Sequence, residues 1–257
     1  ARTGRVYRAA VVAAVAAVPK EKPAGLTVRP LDGDHAASVA AARGRLGDLA
    51  DEIGVPIASM EALGVGYGGS CWTMPMRDGA GTLVGWSDRH ADGSKKTRWA
   101  TRNGLFYAPG QWNQGDGPLL IVEGASDTLA CHGIGLAVVG RPSATGGVAM
   151  LVDLLQAWPA DRAIVVVGEH DAKPGGRWPG RDGAVAVAGR LAEELDRPIL
   201  WSLPPDGHKD ARAWIAAGID AAAITAQILA VATAVQPPPG AIHEDGTLPK
   251  EDPRMIR

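Results

Sequence analysis

Leu119-Leu120-Ile121-Val122-Glu123-Gly124 and Ala163-Ile164-Val165-Val166-Val167-Gly168-Glu169-His170-Asp171 are two aliphatic runs, and each ends abruptly in glycine and carboxylate. Such runs read as buried parallel strands that deliver acids to the carboxyl edge of a sheet. Ligands of open α/β sheets bind at that edge. Two strands of this kind bring Glu123, Glu169 and Asp171 toward one place. Converging negative charge with oxygen donors suits a hard divalent cation, and a cation held there meets phosphate. The fold class expected is therefore α/β, with a mostly parallel sheet flanked by helices.

Downstream of the first run, Ser126 to His132 predicts a helix starting beside Glu123, with Asp127 able to cap it or to reach a metal through water. Leu136 to Val139 is a further short strand. Gly140-Arg141-Pro142-Ser143-Ala144-Thr145-Gly146-Gly147 is a Gly- and hydroxyl-rich loop that opens a helix over Val148 to Trp158, where backbone N–H groups can hold an anion. It is not a Walker loop, because no Gly-Lys-Ser/Thr follows. Beyond Asp171, a loop from Lys173 to Gly183 leads to a helix over Ala184 to Leu195 and places Arg177 and Arg181 near the acids. Pro198 to Leu203 is another strand, with Lys209-Asp210 in the loop after it, and Ile219 to Val235 reads as an Ala-rich closing helix. His170 alternates to the face opposite its neighbouring acids, a structural position.

Upstream, Arg2 to Val18 reads as one helix stopped by Pro19. Val39, Leu46 and Leu49 give Ala36 to Ile53 the spacing of an amphipathic helix ended by Gly54, and a second short helix closes at Gly64. Then Trp72 to Arg77 and Leu83 to Arg89 read as strands joined by an Asp-Gly turn. With Lys95 to Trp99 and Gly104 to Tyr107 they form a small antiparallel meander. Gly64-Val65-Gly66-Tyr67-Gly68-Gly69 satisfies a Gly-x-Gly-x-x-Gly spacing, but no strand precedes it and no helix follows, which argues against a dinucleotide site.

Composition narrows the class. The 257 residues are 46% hydrophobic, which describes a globular chain of one large or two modest domains. The net charge of -2 gives no global nucleic-acid footprint. Charge is uneven, however: residues 77 to 102 hold six Lys/Arg against three Asp/Glu, whereas residues 119 to 220 hold nine against thirteen. A basic surface beside an acidic site suits a polyanion plus metal. Two cysteines, Cys71 and Cys131, make neither a disulfide framework nor a four-ligand zinc ribbon and are expected as core fillers, with a reducing cytoplasm as the natural compartment. The apolar run Ala9 to Val18 is too short to span a bilayer, so no membrane association is expected.

Glu123 with Asp127 four residues on, the Glu169-x-Asp171 pair, and Lys209-Asp210 resemble the Toprim domain of primases, topoisomerases and certain nucleases, and their order is most similar to that of a bacterial or phage-type primase. The Trp72-Thr73-Met74-Pro75-Met76-Arg77-Asp78-Gly79 strand resembles the RNA-polymerase-like part that precedes Toprim in that family. The resemblance implies an N-terminal helix and linker over residues 1–29, an α+β subdomain with antiparallel strands over 30–116, a Toprim domain over 117–220, and a closing helix with a flexible tail over 221–257. The opening also resembles the segment just after the zinc ribbon of phage-type primases, which implies a fragment lacking that ribbon.

Carried over residue by residue, the resemblance makes Glu169 and Asp171 the main ligands of Mg2+ or Mn2+, Asp210 a supporting ligand and Glu123 either a ligand or the general base. Asp127 joins the metal set. Arg89, Lys95, Lys96, Arg98 and Lys209 become contacts to nucleotide or nucleic-acid phosphate, while Arg177 and Arg181, in a loop that looks like an insertion relative to that family, either hold substrate phosphate or balance the acids. The activity implied is synthesis of short RNA primers from ribonucleoside triphosphates on single-stranded DNA, with unwinding left to a separate helicase. A Toprim nuclease using the same metals, and a catalytically silent nucleic-acid-binding module of a phage or mobile-element protein, remain alternatives. Relatives carry aspartate where this chain has Glu169, and the longer side chain puts the metal position at issue. Taken alone, Glu123 is equally an acid capping the following helix.

Overall fold

A computed structural model describes residues 31–238. The helix expected over Arg2 to Val18 and the tail beyond 238 lie outside these residues. Two sheets make the frame. A four-stranded antiparallel sheet has the order β1 (Gly66–Tyr67), β2 (Cys71–Arg77), β3 (Leu83–His90), β4 (Lys95–Thr97). A five-stranded sheet has the order β6 (Val138–Arg141), β5 (Leu119–Glu123), β7 (Ile164–Val167), β8 (Ile199–Ser202), β9 (Thr233–Val235). Its first four neighbours pair in parallel and β9 runs antiparallel to β8.

Alternation along the aliphatic strands explains how the larger sheet is covered on both faces. Leu119, Ile121, Ile164 and Val166 pack under α5 (Val148–Leu155) and α6 (Pro179–Leu195), through Leu151, Leu155, Val187 and Leu191. Leu120, Val122, Val165 and Val167 face the other way, against Cys131 of α4 (Gly124–Gly133), Trp214 of α7 (Ala211–Ile215), and Ile224 and Ile228 of α8 (Ala221–Val231). A strand buried on both faces gains roughly 1.5–3 kcal/mol for each fully buried aliphatic side chain, which is why these runs carry no polar residue until their ends.

In the antiparallel sheet, Pro75 lies in mid-strand without breaking a ladder. The β1 strand pairs only with Thr73 and Trp72 of β2, so at Pro75 the proline nitrogen faces no neighbour and pairing continues with Trp86 on the β3 side alone. Two helices, α2 (Leu46–Ile53) and α3 (Ile57–Leu63), share a core with Met74, Met76 and Phe106, and also with Ala125 and Leu129 of α4.

Several boundaries differ from expectation. The helix read over Ala36 to Ile53 is two helices, α1 (Asp32–Ala42) and α2, because the chain turns at Arg43 to Arg45 with Gly44 at φ 76°. The loop read over Lys173 to Gly183 is shorter, since α6 begins at Pro179, where a missing N–H costs nothing. Arg141, expected in a loop, ends strand β6. The closing helix stops at Val231, and Thr233–Val235 forms the antiparallel edge β9. Leu105 and Phe106 do not extend the meander: each makes a single backbone bridge, Leu105 with Arg77 of one sheet and Phe106 with Gly140 of the other.

Candidate active site

The acids collect at the carboxyl ends of β5 and β7 and at the start of α7. Glu123 closes β5 and occupies the position before α4, yet its side chain makes no capping hydrogen bond. Gly124, at φ 78°, allows the strand to turn directly into the helix, a backbone conformation that a side chain would disfavour. One turn into α4 stands Asp127, 5% exposed. Glu169 and Asp171 follow Gly168 at the end of β7. Asp210 caps α7 by accepting from the Ala213 amide at 2.8 Å.

Three of these acids converge. Asp127, Glu169 and Asp210 each offer one oxygen, and these oxygens lie within 4.8 Å of one another. Asp171 is differently engaged, since its Oδ1 accepts from the Gly180 amide at 2.7 Å in the first turn of α6. Gly180 is needed there: a Cβ at that position would stand 2.8 Å from the Glu169 Cβ and 3.0 Å from Asp171 Oδ1. Glu123 senses the same charge field. Burial, then Glu169, push its carboxyl above the usual range, while Arg141 opposes them.

Burial pushes the Asp127 carboxyl up to about 8, with Asp210 and Glu169 adding to the rise. A buried carboxylate beside two others has nothing to gain from ionising unless a cation joins it. A close set of hard oxygen donors around a group strained in this way fits Mg2+ or Mn2+. Lys209 supplies part of the compensation in the protein alone. Its Nζ lies 3.3 Å from Glu169 and 3.5 Å from Asp210, and these acids hold its ammonium above the ordinary lysine value despite its partial burial.

The antiparallel sheet faces this cluster with cations. Lys95 of β4 donates to Ser126 Oγ at 3.4 Å, in the first turn of the helix that carries Asp127. Desolvation of its ammonium and nearby Arg89 lower its pKa, while Asp127 and Glu169 oppose that shift. A cavity of about 150 Å³ opens between the sheets, lined among others by Arg89, Lys95, Lys96, Thr97, Gly124 and Ser126. On this side of the cluster two of the sequence-predicted cations are already paired: Arg89 with Glu52 at 2.6 Å, and Arg98 with both oxygens of Asp88 at 2.9 and 2.7 Å while it lies 4.7 Å above Trp86. Arg181 pairs with Asp182 at 2.8 Å and lies 4.8 Å from the Trp178 ring. Arg177 is exposed in the loop just before α6. His170 has the structural position expected of it, with Nε2 donating to the Pro204 carbonyl at 2.7 Å and its ring against Trp178.

Sequence reasoning missed Arg141 and Ser126. Arg141 is 0% exposed and donates to the carbonyls of Ala144 and Val167, the latter at 3.0 Å. It thereby ties the strand next to β5 to the end of β7, with its charge facing Glu123 and Glu169. A lone arginine in a glycine-rich stretch gives no local signal of burial. Cys71 and Cys131 are free and buried, as expected of core residues. No helix among the described residues is long and apolar enough to cross a membrane.

This arrangement of sheets is the fold of primase catalytic cores. The chain is similar to the catalytic core of DnaG, with a TM-score of 0.62 at 16% identity over 79% of each chain. It is similar to a DnaG primase catalytic domain bound to single-stranded DNA, with a TM-score of 0.61 at 16% identity over 79% of this chain and 78% of that one. The RNA polymerase domain of Mycobacterium tuberculosis DnaG, in complex with double-stranded DNA, gives 0.55 at 16% identity over 79% of each chain. In sequence, no protein-family model matches the chain, and no curated protein matches it.

Proposed function

We propose that this chain is a primase-type nucleotidyltransferase, which joins ribonucleotides into short primers on a single-stranded DNA template. One observation carries the reading: the convergence of Asp127, Glu169 and Asp210 within 4.8 Å, at the edge of a parallel sheet that a lysine-bearing antiparallel sheet faces across α4. Acids alone suit many cations, but acids facing lysines suit a cation that meets phosphate.

The reaction is attack of a 3′ hydroxyl on the α-phosphate of an incoming ribonucleoside triphosphate, with pyrophosphate leaving. Asp127, Glu169 and Asp210 hold the divalent cation, with Asp171 beside them. The cation, once bound, polarises the phosphoryl oxygens and eases loss of the hydroxyl proton. Lys95, Lys96 and Lys209 hold phosphate oxygens, and Arg177 approaches from the loop beyond Asp171 and Arg181 from the first turn of α6. Glu123, free of capping duty and raised in pKa, accepts the hydroxyl proton or joins the metal set. Arg89 and Arg98 meet the template backbone only by sharing or releasing their carboxylate partners.

The test is labelled ribonucleotide incorporation on single-stranded DNA with Mg2+ and then Mn2+, comparing the chain with Asp210→Asn and Glu123→Ala. Asparagine keeps the cap of α7 and removes the charge, so lost activity reports the metal site rather than the helix. Short products that fall by a factor on the order of a hundred or more in both variants support the reading. Metal-dependent cutting of the template without synthesis transfers the site to a nuclease, and binding without chemistry leaves a silent nucleic-acid module.

A further inference from the structure

Trp99 is 90% exposed, whereas every other large aromatic side chain among the described residues is buried in part or in full. It stands just beyond β4, between Arg98 and Ala100, and the loop that displays it is fastened on several sides. The Thr101 amide and hydroxyl both donate to the Arg98 carbonyl, at 3.2 and 2.8 Å. Thr97 donates to Asn103 Oδ1 at 2.6 Å across the base of the loop, and the Arg102 amide donates to Val84 at 3.0 Å. The Arg98 side chain is clamped by Asp88 and Trp86 beneath.

The display also carries conformational cost. Ala100 sits at φ 62°, one of two non-glycine residues with positive φ among those described; the other, Asp196, ends α6. A residue with a Cβ seldom adopts that conformation, and strain of this kind persists where the surrounding structure imposes it. The fastened turn thus holds an indole away from the core. Ala100 apart, the residues from Lys95 to Asn103 that flank it are polar or cationic, and exposed Lys96 and Arg102 make no salt bridge among the described residues. Trp99 is the one exposed large hydrophobic side chain in residues 95–103, so the loop offers a protein partner's apolar patch no second one. A nucleobase, with a π face and an attached phosphate, matches both the indole and the cations.

We infer that Trp99 is a stacking platform for an unpaired base of the single-stranded template, and that Lys96 and Arg102 hold the phosphates on either side of that base. The inference rests on the proposed function and adds the contact that sets where the template enters. Thr97, two residues before Trp99, lines the cavity between the sheets, so a strand stacked on the indole runs on toward Lys95 and the acids. Trp99 touches no reacting atom. It is a positioning residue.

The test is fluorescence anisotropy with a labelled oligothymidylate and an abasic oligonucleotide of the same length, using the whole chain, Trp99→Ala and Trp99→Phe. Loss of one base–aromatic stack corresponds to roughly a 5-fold to 150-fold weaker affinity. The expected result is a drop of that size for Trp99→Ala on oligothymidylate, no change on the abasic strand, and near-native binding by Trp99→Phe. Equal binding of oligothymidylate by Trp99→Ala and the unsubstituted chain overturns the platform and leaves the primase reading standing. An equal drop on both strands also overturns it, because the side chain then acts on the backbone. Failure of the unsubstituted chain to bind either strand overturns the platform and the template-directed reading together. An unchanged melting temperature in both variants, expected for so exposed a residue, ties the readout to binding.

Discussion

With its carboxyl raised to about 8 against an ordinary value of 3.8, Asp127 holds a proton in the folded, metal-free protein at pH values where the unfolded chain has lost it. The folded state therefore binds more protons across that window, and stability falls as pH rises from about 4 toward 8. Divalent cation has the opposite dependence, since it displaces the proton and binds better as pH rises. Thermal melting at pH 6 and pH 9 checks both signs: without metal the melting temperature should drop at the higher pH, and Mg2+ should restore more of it there. Asp127→Asn should flatten the metal-free dependence and abolish the Mg2+ shift. Glu169 gives a second expectation. Its carboxylate reaches Asp127, Asp210 and Lys209 together, so Glu169→Asp should weaken incorporation by roughly 10- to 100-fold, measured as kcat/KM for ribonucleotide, because the shorter side chain leaves the cluster.

Between elements, Arg141 is the fastening that only the folded chain reveals. Arg141→Met keeps the volume but leaves the Ala144 and Val167 carbonyls without their donor and the acids without a neighbouring charge. A loss of about 2–4 kcal/mol is expected, read from the denaturant midpoint. Much else at this scale was legible in the chain. The β5 and β7 strands declared themselves as aliphatic runs closed by glycine and acid, and Asp78-Gly79 marked the turn between β2 and β3. What was not legible depends on tertiary partners. Thr233–Val235 continues an Ala-rich helical composition and becomes a strand because β8 offers a free edge. Of the acids singled out, Asp127, Glu169 and Asp210 meet, while Asp171 turns to the Gly180 amide; strand order alone cannot tell which oxygens share a point and which are taken up by a helix start.

For the molecule as a whole, the site depends on one sheet presenting acids and another presenting cations. If the cationic sheet meets a nucleic-acid backbone, affinity should fall steeply with salt. Titration of a labelled single strand at several salt concentrations should give a linear log–log plot, and Lys96→Ala should reduce its slope by about 0.7, the value for one phosphate contact on a single strand. The two sheets are also bound to each other by main chain. The Arg77 and Leu105 backbones exchange hydrogen bonds at 2.8 and 2.7 Å, and the next residue, Phe106, does the same with Gly140 at 2.8 and 2.7 Å. Two adjacent residues are thus rungs of both ladders. Neither sheet can open locally without pulling the other, so the amide hydrogens of Phe106 and Gly140 should exchange with solvent only through global unfolding, at the slowest rates in the protein. A site held between sheets fastened this way has a cleft of fixed width, and whatever enters it, rather than the sheets, must do the moving.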